Sequence, residues 1–122
     1  MSNLRVLIFV ESRYKVNRKR IKTALANLLT EQGINSPVEV SVAIVGDRKM
    51  RELSRKYKGE DKTRNILSFS LTEGEKHALP ADIIRLGDIV ISYPVVITEA
   101  SRDEVLVDDK IDELVVHGMT HL

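Results

Sequence analysis

Between Val38 and Val45 aliphatic residues fall on every second position. Val38, Val40, Val42 and Ile44 share one face of a strand, and Glu39, Ser41, Ala43 and Val45 share the other. Leu4 to Val10 is a similar β-rich run. Between them Ile21, Leu25, Leu28 and Leu29 recur at helical spacing, which predicts a helix capped by Asn17, running to about Gln32 and ended by Gly33. Asp47 is the expected N-cap of a short helix over Arg48 to Lys56. Lys58 to Arg64 reads as a polar loop, Asn65 to Leu71 as a third strand, Thr72 to Ala81 as a loop with Gly74 and Pro80, and Leu86 to Ser92 as a fourth strand. Pro94 suits the first turn of a helix that continues to about Glu104. A last helix starts near Val107 or Asp108 and runs to the end of the chain. The order β-α-β-α-β-β-α-α predicts one α+β domain over residues 1–122, a small mixed sheet of about four strands with helices packed on it.

The 122 residues, 43% hydrophobic and 30% charged, suffice for one modest core. No apolar run approaches the ~20 residues that span a bilayer. Met1 to Val10 carries Arg5 and no small-residue cleavage site, so it reads as a strand rather than a signal peptide. Cysteine is absent, so a metal site would need nitrogen and oxygen ligands. A cytoplasmic location is expected. The net charge of +1 hides an asymmetry: residues 1–65 hold 15 Lys or Arg against 7 Asp or Glu, and residues 66–122 hold 4 against 11. A basic side attracts phosphate backbones, although basic helix faces are also commonly just solvated. The basic positions are Arg13, Lys15, Arg18, Lys19, Arg20 and Lys22, then Lys56, Lys58, Lys62 and Arg64. Aromatic residues make up only 4%, which favours phosphate contacts over base stacking as the main grip on a nucleic acid.

The sharpest chemistry is His117-Gly118-Met119-Thr120-His121. On a helix these histidines are one turn apart, with Cβ atoms about 5–6 Å from each other, and two such imidazoles can grip one metal ion. Position 118 lacks the glutamate that serves as general base in H-E-x-x-H peptidases. A catalytic zinc normally takes three protein ligands, and a third is not visible. His77, beside Glu73, Glu75 and Lys76, reads as a solvated loop residue.

Four stretches carry a resemblance. Glu113 to Leu122, ELVVHGMTHL, resembles the start of an H-G-x-x-H-L-x-G-x-D-H signature. Leu86 to Ile91 resembles an L-G-D-I-V-I strand, Asn65 to Phe69 a T-[DN]-V-L-S-F strand, and Tyr57 to Lys62 a Y-R-x-K-D-x loop. In this order, across residues 57–122, they are similar to the YbeY type of bacterial zinc-dependent endoribonuclease. The resemblance implies a single-strand-specific endoribonuclease that acts in ribosomal RNA maturation, including the 16S 3′ end, and in ribosome quality control. Its implied partners are ribosomal RNA and the small ribosomal subunit. It implies a zinc ion held by three histidines, with His117 and His121 as two of them. Lys58, where the family usually has arginine, would steady phosphate charge. Asp88 would orient a ligand histidine or simply cap a strand edge, and Ser68 reads as a backbone-bonded strand residue. Arg13, Arg18, Lys19, Arg20, Lys56, Lys58, Lys62 and Arg64 are the candidate RNA contacts. The chain departs from the pattern at Lys58, at Thr63-Arg64 where the family has Pro-Thr, and at Leu122, before the third ligand. The domain is therefore expected to be C-terminally incomplete. The alternatives are an RNA- or ribosome-binding module that cleaves nothing, a metallopeptidase-like hydrolase, and a metal-free interaction domain.

Overall fold

A computed structural model describes residues 4–11, 13–70 and 83–122. The elements follow the expected order: β1 (Leu4–Val10), α1 (Arg18–Glu31), β2 (Val38–Val45), α2 (Asp47–Lys58), β3 (Ile66–Ser70), β4 (Ile84–Ser92), α3 (Tyr93–Asp103) and α4 (Val107–Thr120). The four strands form one mixed sheet in the order β1-β2-β4-β3. β1, β2 and β4 run parallel, and β3 lies antiparallel against β4 at the edge. Leu71, the loop 72–81 and His77 lie outside the described residues.

The alternation of β2 sorts the two faces of the sheet. Val38, Val40, Val42 and Ile44 are buried with Ile89 and Ile91 of β4 under Ile21, Leu25 and Leu29 of α1, Val96 of α3 and Ile111, Leu114, Val115 and Met119 of α4. The opposite face holds a smaller cluster in which Met50 of α2 meets Val45, Leu67 and Val90. Three helices thus cover one face and α2 covers part of the other.

Local details depart from the sequence expectation at helix and strand ends. The N-cap of α2 is Gly46 rather than Asp47, and Asp47 is the first helical residue. There its carboxylate accepts from Arg51 one turn on, at 3.0 Å, and its charge suits the positive end of the helix. α2 also extends two residues further than expected and stops at Gly59, whose φ of 67° is left-handed. β4 begins at Ile84, two residues early, and contains Gly87 with φ 145°. A Cβ built there would lie 2.0 Å from the Phe69 carbonyl oxygen, so only glycine lets β3 and β4 approach this closely.

Candidate metal and RNA cleft

α4 brings its C-terminal turn against the edge of the sheet formed by β3 and β4. Gly118 is buried in that contact, and a Cβ there would meet Ile66 Cδ1 at 2.9 Å, Ile89 Cγ2 at 3.0 Å and Ser68 Oγ at 3.1 Å. The Ser68 hydroxyl donates to the Gly118 carbonyl at 3.5 Å, and the Ser70 hydroxyl donates to the Leu122 carbonyl at 3.3 Å. Both serines thus attach the helix end to β3, in keeping with the backbone-bonded reading of Ser68.

The helix is rotated so that Gly118 faces the sheet, and His117 and His121 consequently stand exposed beside β3. Their ring centroids are 4.4 Å apart and their planes are inclined by 43°. His121 Nδ1 lies 2.8 Å from the His117 carbonyl oxygen. A carbonyl only accepts, so Nδ1 is the donor of this contact and Nε2 is the nitrogen left to meet a ligand. This is the arrangement in which a ligand imidazole donates its second nitrogen to a backbone carbonyl and turns the first toward a metal. Thr120, which carries no signal of its own in the sequence, adds a second anchor: its hydroxyl donates to the same carbonyl at 2.7 Å and lies 3.3 Å from His121 Nδ1. The only trace of that role in the sequence is a threonine three residues after a histidine.

The two histidines share a cleft of about 330 Å³ with Lys58, Arg64, Ile66, Leu67 and Ser68. Two sequence-predicted basic residues, Lys58 and Arg64, are therefore brought to the histidine pair. Lys58 sits at the end of α2 and pairs with no carboxylate among the described residues. Arg64 pairs with Glu60, and its Nε is buried without a hydrogen-bond partner. Lys62 also reaches Glu60, at 3.2 Å. Lys62 first, then Arg64, holds the Glu60 carboxyl below its usual range. The pair fits two positions of a zinc coordination shell, and no group of three or more ligating side chains occurs among the described residues.

The other candidates lie elsewhere. Asp88 pairs in register with Ser41 and its carboxylate accepts from the Ser41 hydroxyl. Strand alternation puts it on the α2 face, opposite Ile89 and the histidines, so it does not reach them. Arg20, half-buried between α1 and α4, is bonded to Asp109 and, at 2.6 Å, to Asp112 of α4. Its guanidinium is already engaged by two carboxylates of α4, away from the lining of the histidine cleft. Arg18 donates to the Ile8 carbonyl at 2.8 Å. Lys56 stands over the Tyr57 ring at 5.2 Å, outside the lining of the cleft. Arg13 and Lys19 belong to the β1–α1 side of the molecule.

These elements define an α+β domain with an exposed histidine pair in a basic cleft, and the proteins it is similar to are endoribonucleases. The model of the endoribonuclease YbeY family matches residues 9–122. An endoribonuclease YbeY of Syntrophus aciditrophicus is 32% identical over 112 residues, a match covering 92% of this chain and 68% of that protein. One from Magnetococcus marinus is 37% identical over 92 residues, covering 71% of this chain and 63% of that protein. The chain thus spans about two thirds of the length of these relatives. The solution structure of TM1509 from Thermotoga maritima shares the fold, with a TM-score of 0.62 at 22% identity over 96% of this chain and 71% of that one. The chain belongs to the endoribonuclease YbeY family.

Proposed function

We propose that this protein is a metal-dependent endoribonuclease that cleaves single-stranded RNA at the cleft between α4, β3 and the end of α2, and that its substrate is ribosomal RNA undergoing maturation, including the 16S 3′ end. The carrying observation is the histidine pair with His121 Nδ1 fixed on the His117 carbonyl at 2.8 Å, which leaves Nε2 aimed away from the helix backbone. His117 and His121 would hold a zinc ion, which when bound lowers the pKa of a coordinated water and polarises a phosphoryl oxygen.

The chain's own residues supply the rest. Lys58 offers an ammonium on the rim, where it binds a phosphate oxygen as a point charge. Arg64 adds a second cation on the same rim, already tied to Glu60. The β3 edge forms the floor, with Ser68 holding α4 in place. Family membership supports association with the small ribosomal subunit, ribosome quality control and a cytoplasmic site of action as parts of the same reading. Among the described residues no helix is long and apolar enough to cross a membrane.

A second reading, an RNA-binding module that cleaves nothing, draws on the finding that the described residues offer two ligating side chains rather than three. Single-turnover cleavage of a single-stranded ribosomal RNA fragment, with zinc content measured on the same samples, separates the two. Under the nuclease reading His117→Ala and His121→Ala each lose zinc and cleavage and keep RNA affinity, while Lys58→Ala keeps zinc and slows cleavage. Cleavage that persists in both histidine variants would overturn the nuclease reading.

A further inference from the structure

A second groove, of about 440 Å³, runs along the opposite edge of the sheet between the first half of β1 and α1. Arg5 and Val6 line it from the strand, and Lys19, Lys22, Thr23 and Ala26 line it from the helix. The helix residues are spaced i, i+3, i+4 and i+7, so they form one continuous stripe. The core stripe of Ile21, Leu25 and Leu29 points elsewhere, into the sheet. β1 is an edge strand with no strand on its outer side among the described residues, which leaves the groove open along its length.

α1 sorts its basic residues into two kinds. Arg18 is used on the Ile8 carbonyl and Arg20 on Asp109 and Asp112. Lys19 and Lys22 form no ion pair among the described residues, and no acidic residue lines their groove. Arg5 is in register with Glu39 and pairs with it at 3.6 Å, so its charge lies on the other face of the sheet from α1. Two such ammonium groups one turn apart, about 5–6 Å between Cβ atoms, can each hold a different phosphate oxygen of one backbone. A lipid surface fits the groove poorly. A helix that docks on a membrane inserts an apolar face, and the apolar face of α1 is buried in the core.

We propose that the β1–α1 groove is a second RNA-backbone site, which holds phosphates of the strand whose other part occupies the histidine cleft. The proposal rests on the RNA reading of that cleft. β1 and β3 are separated by two intervening strands, a span of roughly 14 Å at about 4.8 Å per strand spacing. A very short RNA therefore occupies one site only, and a longer one engages both.

The test is anisotropy binding of a tetranucleotide and of a long single-stranded RNA over a salt series. It compares the parent, Lys19→Ala/Lys22→Ala, and the charge-matched control Arg48→Ala/Lys49→Ala on the far face of the sheet. Each phosphate contact to a single strand contributes about 0.7 to the slope of log affinity against log salt, so losing two flattens it by about 1.4 for the long RNA. Affinity for the long RNA falls roughly fivefold to tenfold at low salt, and the tetranucleotide changes no more than in the control. An unchanged slope, an equal loss on the tetranucleotide, or the same loss in the control overturns the site. So does a loss of binding to phosphatidylserine vesicles with long-RNA binding intact, which would assign the groove to a membrane. Repeating the salt series in His117→Ala keeps the two questions apart. If that variant cleaves like the parent, the cleft reading fails while the slope still decides the groove.

Discussion

His121 Nδ1 lies 2.8 Å from the carbonyl oxygen of His117, one helical turn back, and Thr120 bonds to that same oxygen. The backbone of α4 thereby sets the tautomer of His121. Replacing Thr120 by valine removes one of the two groups that can receive the Nδ1 hydrogen. Thr120→Val is expected to weaken zinc about tenfold, and His121→Ala to lose far more. Competition against a chromophoric chelator measures both, and equal affinities for Thr120→Val and the parent would reject the role given to the hydroxyl.

Gly118 explains why this helix carries no H-E-x-x-H glutamate. The position faces the sheet, and a Cβ at residue 118 would have three side-chain atoms within 3.1 Å. Ile66 Cδ1 can turn aside, but Ile89 Cγ2 is fixed to its strand. Gly118→Ala is expected to cost about 1 kcal/mol net, overpacking of about 1–3 kcal/mol being offset by about 1 kcal/mol of helix propensity. Gly118→Glu buries a carboxylate without a partner and is expected to cost about 3 kcal/mol or more, with no gain of peptidase activity. Urea unfolding gives the two values, and a stable Gly118→Glu protein would refute the packing argument.

Arg20 is a fastener between α1 and α4, because Asp109 and Asp112 occupy its guanidinium and hold its pKa above the ordinary arginine value, Asp109 first. Arg20→Met is expected to lower the thermal midpoint by a few degrees while RNA affinity falls no further than in the Arg48→Ala/Lys49→Ala control. A large loss of RNA affinity at an unchanged midpoint would restore Arg20 to the RNA surface.

Asp103 links α3 to α4. Arg102 first, then Lys110 at 2.7 Å, holds its carboxyl at about 2, below the ordinary 3.8. A depressed carboxyl contributes stability that is present above its unfolded pKa and lost as pH falls through the folded one. The native protein should therefore lose stability between about pH 5 and pH 2 faster than Asp103→Asn does. Lys110 is raised above its ordinary value by Asp103 and then Glu113, so its share is present at neutral pH and lost as strongly alkaline pH is reached. Thermal midpoints across pH test both, and parallel acid limbs for parent and Asp103→Asn would contradict the linkage.

Much of this was legible in the chain. The alternation of Val38 to Ile44 and the stripe Ile21, Leu25, Leu29 are local periodicities, and they decided which faces become core. The histidine pair was legible because i and i+4 share a helix face whatever the tertiary structure. The partners of the basic residues were not. Arg20 meets carboxylates 89 and 92 positions away, and no local pattern encodes that contact. The surroundings of Asp88 were hidden for a related reason. Its parity against Ile89 and Ile91 was readable, but which face of the sheet α4 would cover was not. The α2 cap shifted by one residue because Gly46 already adopts the extended backbone a cap needs, which freed Asp47 to enter the first turn.

The contact of Gly118 with β3 and β4 divides the cleft into parts of separate origin. Its histidine wall is helix backbone at Gly118 laid on the side chains of Ile66, Ser68 and Ile89, whereas its cationic rim comes from the end of α2 and the loop after it. Drift in the rim can retune grip on a polyanion without moving the imidazoles, so a lysine at position 58 is a change the architecture can absorb. A comparable change at position 118 would shift both histidines at once.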